Sequence, residues 1–270
     1  MLSDITIGQF FPGRSLLHRM DPRVKLALTF AYIIVIFLPQ NWVGLGLAVG
    51  FLVMCVLLSR IPIRLILKGL KPILPLLIFT SLINIFYADG TVLVKFWIFT
   101  ITWDGIYKAM FIAVRILCLI AASSLLTYTT SPTTFTDALE RLMSPLRFLR
   151  VPVHEIAMMM TIALRFIPML IEETDKIMSA QKARGADMES GNILQRVKAL
   201  IPVLVPLFAS SFRRAFDLAT AMECRCYHGG EGRTRMKQLH MAVGDFAAVG
   251  IVALLTAAMI ASNVYIPAVF

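Results

Sequence analysis

The sequence predicts an all-α, polytopic membrane protein with about five transmembrane helices and a cytoplasmic or interfacial domain of three amphipathic helices. Composition is the first reason. Of the 270 residues, 58% are hydrophobic and 16% are charged, against roughly 45–50% and about 25% in ordinary globular proteins. A chain this apolar has too few polar side chains to cover a soluble domain of its size. The composition therefore disfavours an ordinary cytosolic enzyme, a coiled coil and a disordered protein.

The second reason is a set of five apolar runs. A helix needs about 20 apolar residues to cross a bilayer, with a range near 17–25. The runs cover approximately residues 24–38, 42–58, 72–87, 105–126 and 239–260. The first and third runs are slightly short by that measure, so we expect tilt or interfacial ends to help them span.

The third reason is the distribution of charge in a chain of net charge +10. Basic residues flank two of the runs, before the first and after the second: Arg14, Arg19, Arg23, Lys25, Arg60, Arg64, Lys68 and Lys71. The positive-inside rule then places the N-terminus in the cytoplasm, in a multi-pass protein of the plasma membrane. Such an excess of positive charge is typical of cytoplasmic segments and of contacts with lipid head groups, and we expect no nucleic-acid partner.

Residues 131–237 differ from the rest of the chain, because they hold 15 of the 26 basic and 11 of the 16 acidic residues. Strongly apolar stretches interrupt this charge, which is typical of amphipathic helices at a membrane surface. We therefore predict three regions. Residues 1–130 form a membrane region with four transmembrane helices, residues 131–237 form a cytoplasmic region, and residues 238–270 form the last transmembrane helix.

Three helices are predicted in this cytoplasmic region. The first opens with Ser131 as a cap residue, followed by Pro132 at the first helical position. The second covers about residues 154–184 and is predicted to kink at Pro168. The third covers about residues 192–225, where apolar residues recur every three or four positions and form one face. The members of that face are Val197, Ile201, Leu204, Phe208, Phe212, Ala215, Ala219 and Met222.

The second and third helices end alike. Residues 179–185 read SAQKARG and residues 220–226 read TAMECRC, so Arg184 and Arg225 lie 41 positions apart between small residues. A cation at a helix C-terminus interacts favourably with the helix dipole, so both arginines could simply cap their helices. Alternatively, two equivalent guanidinium groups fit two equivalent sockets on two similar partner subunits, because a planar guanidinium binds carboxylates or carbonyls in pairs.

Other polar features predict no catalytic, substrate-binding or metal site. The chain contains no Gly-x-x-x-x-Gly-Lys-Ser/Thr motif, so we expect no nucleotide or other cofactor on the chain itself. His154 and Glu155 resemble the start of a zinc-protease motif, but position 158 is methionine. The glycine-rich residues 229–233 are expected to form a flexible return to the membrane. Arg115 lies within the fourth run, where it pairs either with backbone and hydroxyl groups or with a partner.

Several motifs together resemble one family, the transmembrane T component of energy-coupling factor (ECF) vitamin transporters. Residues 16–26 (LLHRMDPRVKL), residues 183–185 (ARG) and the second copy around Arg225 carry the resemblance. Residues 130–235 look especially similar, including the runs LRFIP at 164–168 and YHGGEGR at 227–233. The resemblance covers nearly the whole chain.

The resemblance implies a non-catalytic scaffold. Two ABC-type ATPase subunits would bind ATP and grip the cytoplasmic coupling helices, while a separate membrane S component would capture the vitamin. The residues that would contact the ATPase subunits are Ala183, Arg184 and Gly185 in one copy, and Cys224, Arg225 and Cys226 in the other. Cysteine is small enough for close approach but lacks the freedom of glycine, so the sequence leaves open whether a left-handed turn follows Arg225.

Three other functions remain possible from the sequence. Within the family, the chain could be the T component of a dedicated cobalt or nickel importer. From another class, it could be a self-contained secondary carrier, although no carboxylate lies in the middle of the five runs, where a proton-coupled carrier usually needs one. A membrane-bound enzyme ranks last, because no nucleophile, base or metal cluster is evident.

Overall fold

The computed structural model describes residues 10–87, 92–96, 99–186, 192–230 and 239–266. Ten helices and one hairpin make up this part of the chain: α1 (Leu16–Arg19), α2 (Pro22–Val35), α3 (Trp42–Ser59), α4 (Ile63–Leu70), α5 (Leu74–Tyr87), β1 (Val92–Phe96), β2 (Phe99–Thr102), α6 (Trp103–Thr129), α7 (Pro132–Leu142), α8 (Val153–Ala183), α9 (Ile193–Glu223) and α10 (Val243–Tyr265). Short 3₁₀ turns cover Lys71–Ile73 and Ser144–Leu149. The prediction of an all-α architecture is confirmed, apart from the hairpin.

The hairpin is a feature that the sequence analysis missed. Strands β1 and β2 pair antiparallel, with Val92 opposite Thr102 and Phe96 opposite Phe99. Both strands are rich in β-branched and aromatic residues, which favour extended backbone. Their position between two long apolar helices concealed this local preference, because the same residues also suit an apolar membrane segment.

Six helical segments within the described residues are long and apolar enough to cross a membrane. They are Trp42–Ser59, Ile63–Phe86, Trp103–Thr129, Val153–Ala183, Leu194–Glu223 and Val243–Tyr265. The protein is therefore a multi-pass membrane protein. The set differs from the predicted one, because α2 has only 14 residues, whereas α8 and α9 reach the necessary length and hydropathy. The location of α8 and α9 at the membrane surface stays a prediction.

The chain divides into two compact units. Residues 8–138 and 238–270 form the first, which we call the packed unit, and residues 139–237 lie in the second, the open unit. The packed unit has a core in which α6 packs against α2, α3, α4 and α5. Its buried residues include Tyr32, Ile36, Ala48, Leu52, Ala121, Ala122 and Met259. The small side chains among them allow helices to approach closely.

Polar contacts between helix ends show in which direction each helix of the packed unit runs. The Asp21 backbone N–H donates to Oδ1 of Asp245 over 3.1 Å, which joins the start of α2 to the start of α10. The Asn41 amide donates to the Ser262 carbonyl over 2.8 Å, which joins the start of α3 to the end of α10. Helices α2 and α10 therefore run in one direction and α3 in the other. The starts of α2 and α10 and the end of α3 lie on the same face of the membrane.

The Asp-Pro-Arg run anchors the start of α2. Asp21 caps the helix by accepting from the Arg23 backbone N–H at 2.9 Å, and its carboxylate forms a 2.6 Å ion pair with the Arg23 guanidinium. Burial works to raise the pKa of the Asp21 carboxyl, but the hydrogen bonds and charge of Arg23 outweigh burial and lower the pKa. The same guanidinium donates to the Leu239 carbonyl over 3.1 Å, which ties α2 to the segment before α10.

Arg115, the charged residue within α6, pairs with backbone. Its Nη2 donates to the Pro39 carbonyl over 2.7 Å, and the guanidinium lies 4.9 Å from the ring centre of Phe111 and 5.6 Å from that of Phe37. Aromatic faces attract a cation in this range. Of the two interpretations left open by the sequence, pairing with the backbone is confirmed.

Candidate functional site

The two predicted arginine-bearing helices, α8 and α9, lie side by side in the open unit. Glu173 of α8 accepts a 2.6 Å hydrogen bond from the Ser210 hydroxyl of α9 and forms an ion pair with Arg214 of α9. Further along α8, the Gln181 amide donates to the Pro202 carbonyl over 3.3 Å. Because residue numbers rise along α8 while those of their partners fall along α9, the helices run antiparallel, and their C-termini lie at opposite ends of the pair.

The end of α8 is a Schellman-type turn built around Gly185. Gly185 has a left-handed φ of 85°, and its backbone N–H donates to the Lys182 carbonyl over 3.0 Å. The next backbone N–H, that of Ala186, donates to the Gln181 carbonyl over 3.0 Å. This bond from the sixth residue back to the first closes the helix and satisfies one of its last carbonyl groups. Arg184 is thereby held at the outermost point of the helix.

The end of α9 repeats this geometry position by position. Cys226 has a left-handed φ of 56°, and its backbone N–H donates to the Glu223 carbonyl over 2.9 Å. The Tyr227 backbone N–H donates to the Met222 carbonyl over 3.1 Å, which is the same sixth-to-first bond displaced by 41 residues. A left-handed turn, which cysteine disfavours, is therefore formed at Cys226. Closing bonds offset the cost of that conformation, which is roughly 1–2 kcal/mol for a residue other than glycine.

Both tips are exposed, as are the small residues beside them: Ala183, Arg184, Gly185, Cys224, Arg225 and Cys226. Neither guanidinium makes a hydrogen bond or ion pair with a residue that the structure describes. A β-carbon at Gly185 would also meet no atom within 4 Å. An incoming protein surface could therefore reach each arginine without displacing another part of the open unit.

The two tips are far apart along the helix pair. Arg184 lies three residues beyond Gln181, which contacts Pro202 of α9. Arg225 lies 23 residues beyond Pro202 in the opposite direction, and a helix rises about 1.5 Å per residue, so the two offsets add to a separation of about 40 Å along the pair. Two separate partner subunits, or two distant sites on one assembly, are needed to occupy both tips.

The segment after the second tip is anchored to the start of α8. We call residues 227–230 the strap. Gly229 turns the strap with a φ of 95°, and Gly230 then lies so close to His154 that a β-carbon there would be 2.3 Å from Cδ2 of the imidazole ring. His154 Nδ1 is in turn 3.2 Å from Oε1 of Glu140, a residue that is 9% exposed.

This junction was not predicted from the sequence, where His154 was the failed start of a metal motif and the glycines were a flexible return. In the structure Gly229 supplies a turn with positive φ, and Gly230 lies against the His154 ring. Residues 231–233 of the same glycine-rich run lie outside the described residues. In the part of the chain that the structure describes, no group of three or more histidine, cysteine, aspartate or glutamate side chains could hold a metal ion.

Comparison with known proteins agrees with this architecture. Residues 13–236 match the CbiQ family, described as cobalt transport protein. A protein of Ruminiclostridium cellulolyticum named energy-coupling factor transporter transmembrane protein EcfT is 56% identical over 251 residues, which cover 93% of this chain and 94% of that protein.

Two further relatives carry the same name. The protein from Thermosediminibacter oceani is 48% identical over 262 residues, covering 97% of this chain and 99% of the relative. The protein from Bacillus subtilis is 47% identical over 240 residues, covering 88% of this chain and 91% of the relative. The family match spans both helix tips and the packed helices before them. The chain therefore belongs to the CbiQ family, as a transmembrane protein of the energy-coupling factor transporter type.

Proposed function

We propose that this chain is the scaffold subunit of an ATP-driven importer, in which two ABC-type ATPase subunits bind the tips at Arg184 and Arg225. The observation that carries this proposal is the repeated geometry of the two tips, which share the same closing bonds and a left-handed residue at the same offset. Two tips of the same geometry suit two equivalent binding sites, one on each ATPase subunit. The same exposed arginines are less well explained as simple helix caps, because a cap needs neither the repeat nor the small flanking residues.

The chemistry of a tip suits recognition of a carboxylate or of paired carbonyl groups. A guanidinium presents its donors in a fixed fork that matches a carboxylate in a bidentate manner. Its flanking residues, Ala183 and Gly185 at one tip and two cysteines at the other, leave room for the partner backbone. Truncating one member of a buried charge pair of this kind costs about 2–5 kcal/mol, so we expect each arginine to dominate its contact.

The contact between α8 and α9 allows a movement of one helix to be transmitted to the other. Glu173 binds both Ser210 and Arg214, so a displacement of one tip acts on the other helix through this network. A substrate-capturing S component would bind the exposed apolar faces of these helices and receive the movement. The chain itself would bind neither ATP nor substrate.

The test replaces the tips by alanine in the assembled transporter. Arg184→Ala and Arg225→Ala should each weaken retention of the ATPase subunits, and the double variant should lose uptake while remaining in the membrane. Arg213→Ala is the matched control, because Arg213 is an exposed arginine in the body of α9. Pull-down and uptake by the double variant equal to those of the control would exclude the proposed role of the tips.

The alternatives are separated by what copurifies and what drives uptake. The family description names cobalt transport, so a dedicated cobalt or nickel importer stays the nearest alternative, and the S component that remains bound in mild detergent distinguishes it from a vitamin importer. Substrate uptake by the purified chain alone in liposomes, without ATPase subunits, would instead identify a secondary carrier.

A further inference from the structure

The packed unit contains a cavity of about 460 Å³ between α1, α2, α3, α6 and α10. Its inner wall consists of buried residues that include Tyr32, Leu52, Ala122 and Val252. Its rim consists of exposed side chains, among them Leu16, Arg19, Met54, Leu58 and Ile251. The proposed coupling through the arginine tips does not use this cavity.

The cavity lies near one face of the membrane. Its lining comes from the middle of α2, the first turns of α10 and the second half of α3, and the starts of α2 and α10 lie on the same face as the end of α3. The short helix α1 also contacts α3 and contributes Leu16 and Leu17 to the lining. From Lys25 to Tyr32 the wall extends about 10 Å along α2, at 1.5 Å per residue.

The interior suits hydrocarbon better than water. Apart from groups near the rim, the inner wall is aliphatic or aromatic, and the Tyr32 hydroxyl already donates to the Ala48 carbonyl over 3.0 Å. A buried water typically needs two to four polar partners, and apolar cavities of this kind stay dry. In a bilayer the available apolar occupant of this length is a lipid acyl chain.

Positive charge in the lining favours an anionic head group, with Arg19 at the rim and Lys25 buried in the wall. Arg19 is exposed and forms no ion pair with a described residue. Lys25 is 6% exposed, and its Nζ donates to the Thr129 carbonyl over 3.1 Å and to the Thr130 hydroxyl over 3.2 Å. A lysine ammonium has three donors, so one stays without an acceptor among the described residues.

Asp245, the single carboxylate of the lining, already accepts hydrogen bonds from two backbone N–H groups. Its Oδ1 accepts from the Asp21 N–H over 3.1 Å and its Oδ2 from the Ala242 N–H over 2.8 Å. The lining as a whole holds two cations, Arg19 and Lys25, against one carboxylate, which leaves an excess of one positive charge. We propose that the cavity binds one anionic phospholipid, with an acyl chain along α2 and α10 and the phosphate beside Arg19 and Lys25.

The first experiment uses the unaltered chain. Cys55 lines the cavity and is half-buried, whereas Cys224 is exposed and distant in sequence from every lining residue. In mild detergent, added phosphatidylglycerol should slow modification of Cys55 by N-ethylmaleimide, read by peptide mass spectrometry, and leave Cys224 unchanged. Phosphatidylcholine should protect less, and glycerol 3-phosphate, which offers the head-group charge without a chain, should not protect.

The second experiment counts bound lipid by native mass spectrometry on two matched pairs of variants. Ala248→Phe fills the cavity and should abolish retention of phosphatidylglycerol, whereas Ala253→Phe adds the same ring on an exposed position of α10 outside the lining. Arg19→Gln should reduce the preference for phosphatidylglycerol over phosphatidylcholine about fivefold, since a basic residue contributes about 1 kcal/mol near anionic lipid. Arg14→Gln, also exposed and outside the lining, should not.

Three outcomes would overturn the proposal. Equal protection of Cys55 by both phospholipids would remove the charge preference, and equal lipid retention by Ala248→Phe and Ala253→Phe would place the lipid elsewhere. Protection of Cys55 that requires a partner subunit, and not lipid, would show that a protein side chain fills the cavity. Because the labelling uses the unaltered chain, the proposal stays testable even if Ala248→Phe fails to fold.

Discussion

The packed unit and the open unit use helices of similar length in opposite ways. Of the most apolar stretch of each helix, 28% is buried in α3, 33% in α6 and 22% in α10, against 6% in α8 and 6% in α9. The segment Ile63–Phe86 at the edge of the packed unit is the exception, since it is also only 6% buried. The packed unit encloses its own core and fastens its helix ends with side-chain bonds. The open unit leaves most of its apolar surface for lipid or for other proteins to cover.

Helix α9 shows this difference most clearly. The apolar face predicted from its periodicity is formed as a helix, yet Val197, Ile201, Leu204, Phe208 and Phe212 are all between 45% and 63% exposed. Contiguous exposed apolar surface marks an interaction site or a membrane contact. Periodicity thus predicted the helical apolar face correctly, but it could not show that this face is left exposed by the described residues.

The largest expected effect is a difference in thermal stability between variants of the two units. Leu45→Ala removes a side chain that is 2% exposed in the packed unit, whereas Leu204→Ala makes the same change at a residue that is 45% exposed in the open unit. Leucine-to-alanine changes in a packed core cost about 2–5 kcal/mol. We expect Leu45→Ala to lower the thermal midpoint of the purified chain markedly and Leu204→Ala to leave it almost unchanged.

Equal losses for the two variants would contradict the comparison, because they would mean that α9 is buried against its own chain. The measurement is made on the chain without partner subunits, so that Leu204 has no external contact to lose. Repeating it on the assembled transporter sharpens the result: Leu204→Ala should then weaken the assembly, while Leu45→Ala should act on the chain alone.

Much of the fold could be predicted from sequence because its signals are local. Apolar length and charge located the long helices, and the Ser131–Pro132 pair marked the start of α7, where the Ser131 hydroxyl accepts from the Thr134 backbone N–H. The repeated small-Arg-small pattern identified both tips. Each of these depends on residues within a few positions of one another, which is the range over which a single sequence is informative.

The features that were not predicted from the sequence depend on contacts between distant residues, or on a strained backbone conformation whose cost is offset by hydrogen bonds. The fit of Gly230 against His154 joins positions 76 residues apart, and no local pattern predicts it. Cys226 adopts a conformation that cysteine disfavours because the closing bonds of the helix end require it. Arg115 depends in the same way on Pro39, which lies 76 residues earlier in the chain, before α3.

A smaller effect is expected at the strap that follows the second tip. Gly230→Ala must displace the His154 ring, and overpacking of this kind costs about 1–3 kcal/mol. If the strap positions Arg225, the substitution should weaken ATPase binding about tenfold when the first tip is disabled by Arg184→Ala. Gly250→Ala is the matched control, since a β-carbon there would meet no atom within 4 Å.

Two further variants distinguish positioning from general damage. His154→Ala removes the ring that obstructs the new methyl group, so it should partly restore binding to the Gly230→Ala variant. In a background that already carries Arg225→Ala, Gly230→Ala should have no additional effect. Loss of binding that persists in both cases would show that the strap supports the fold and does not direct the tip.

The smallest effect compares the turns themselves. Cys226→Gly removes the cost of a left-handed cysteine, roughly 1–2 kcal/mol, but adds the greater unfolded-state entropy of glycine, roughly 0.5–1 kcal/mol. The net gain should strengthen the bond from the Tyr227 N–H to the Met222 carbonyl and slow hydrogen exchange of that amide a few-fold. Gly185→Ala should speed exchange of the Ala186 amide at the other tip, because alanine resists a φ of 85°. Slower exchange at Ala186, or faster exchange at Tyr227, would mean that the two turns are held by different forces despite their matching geometry.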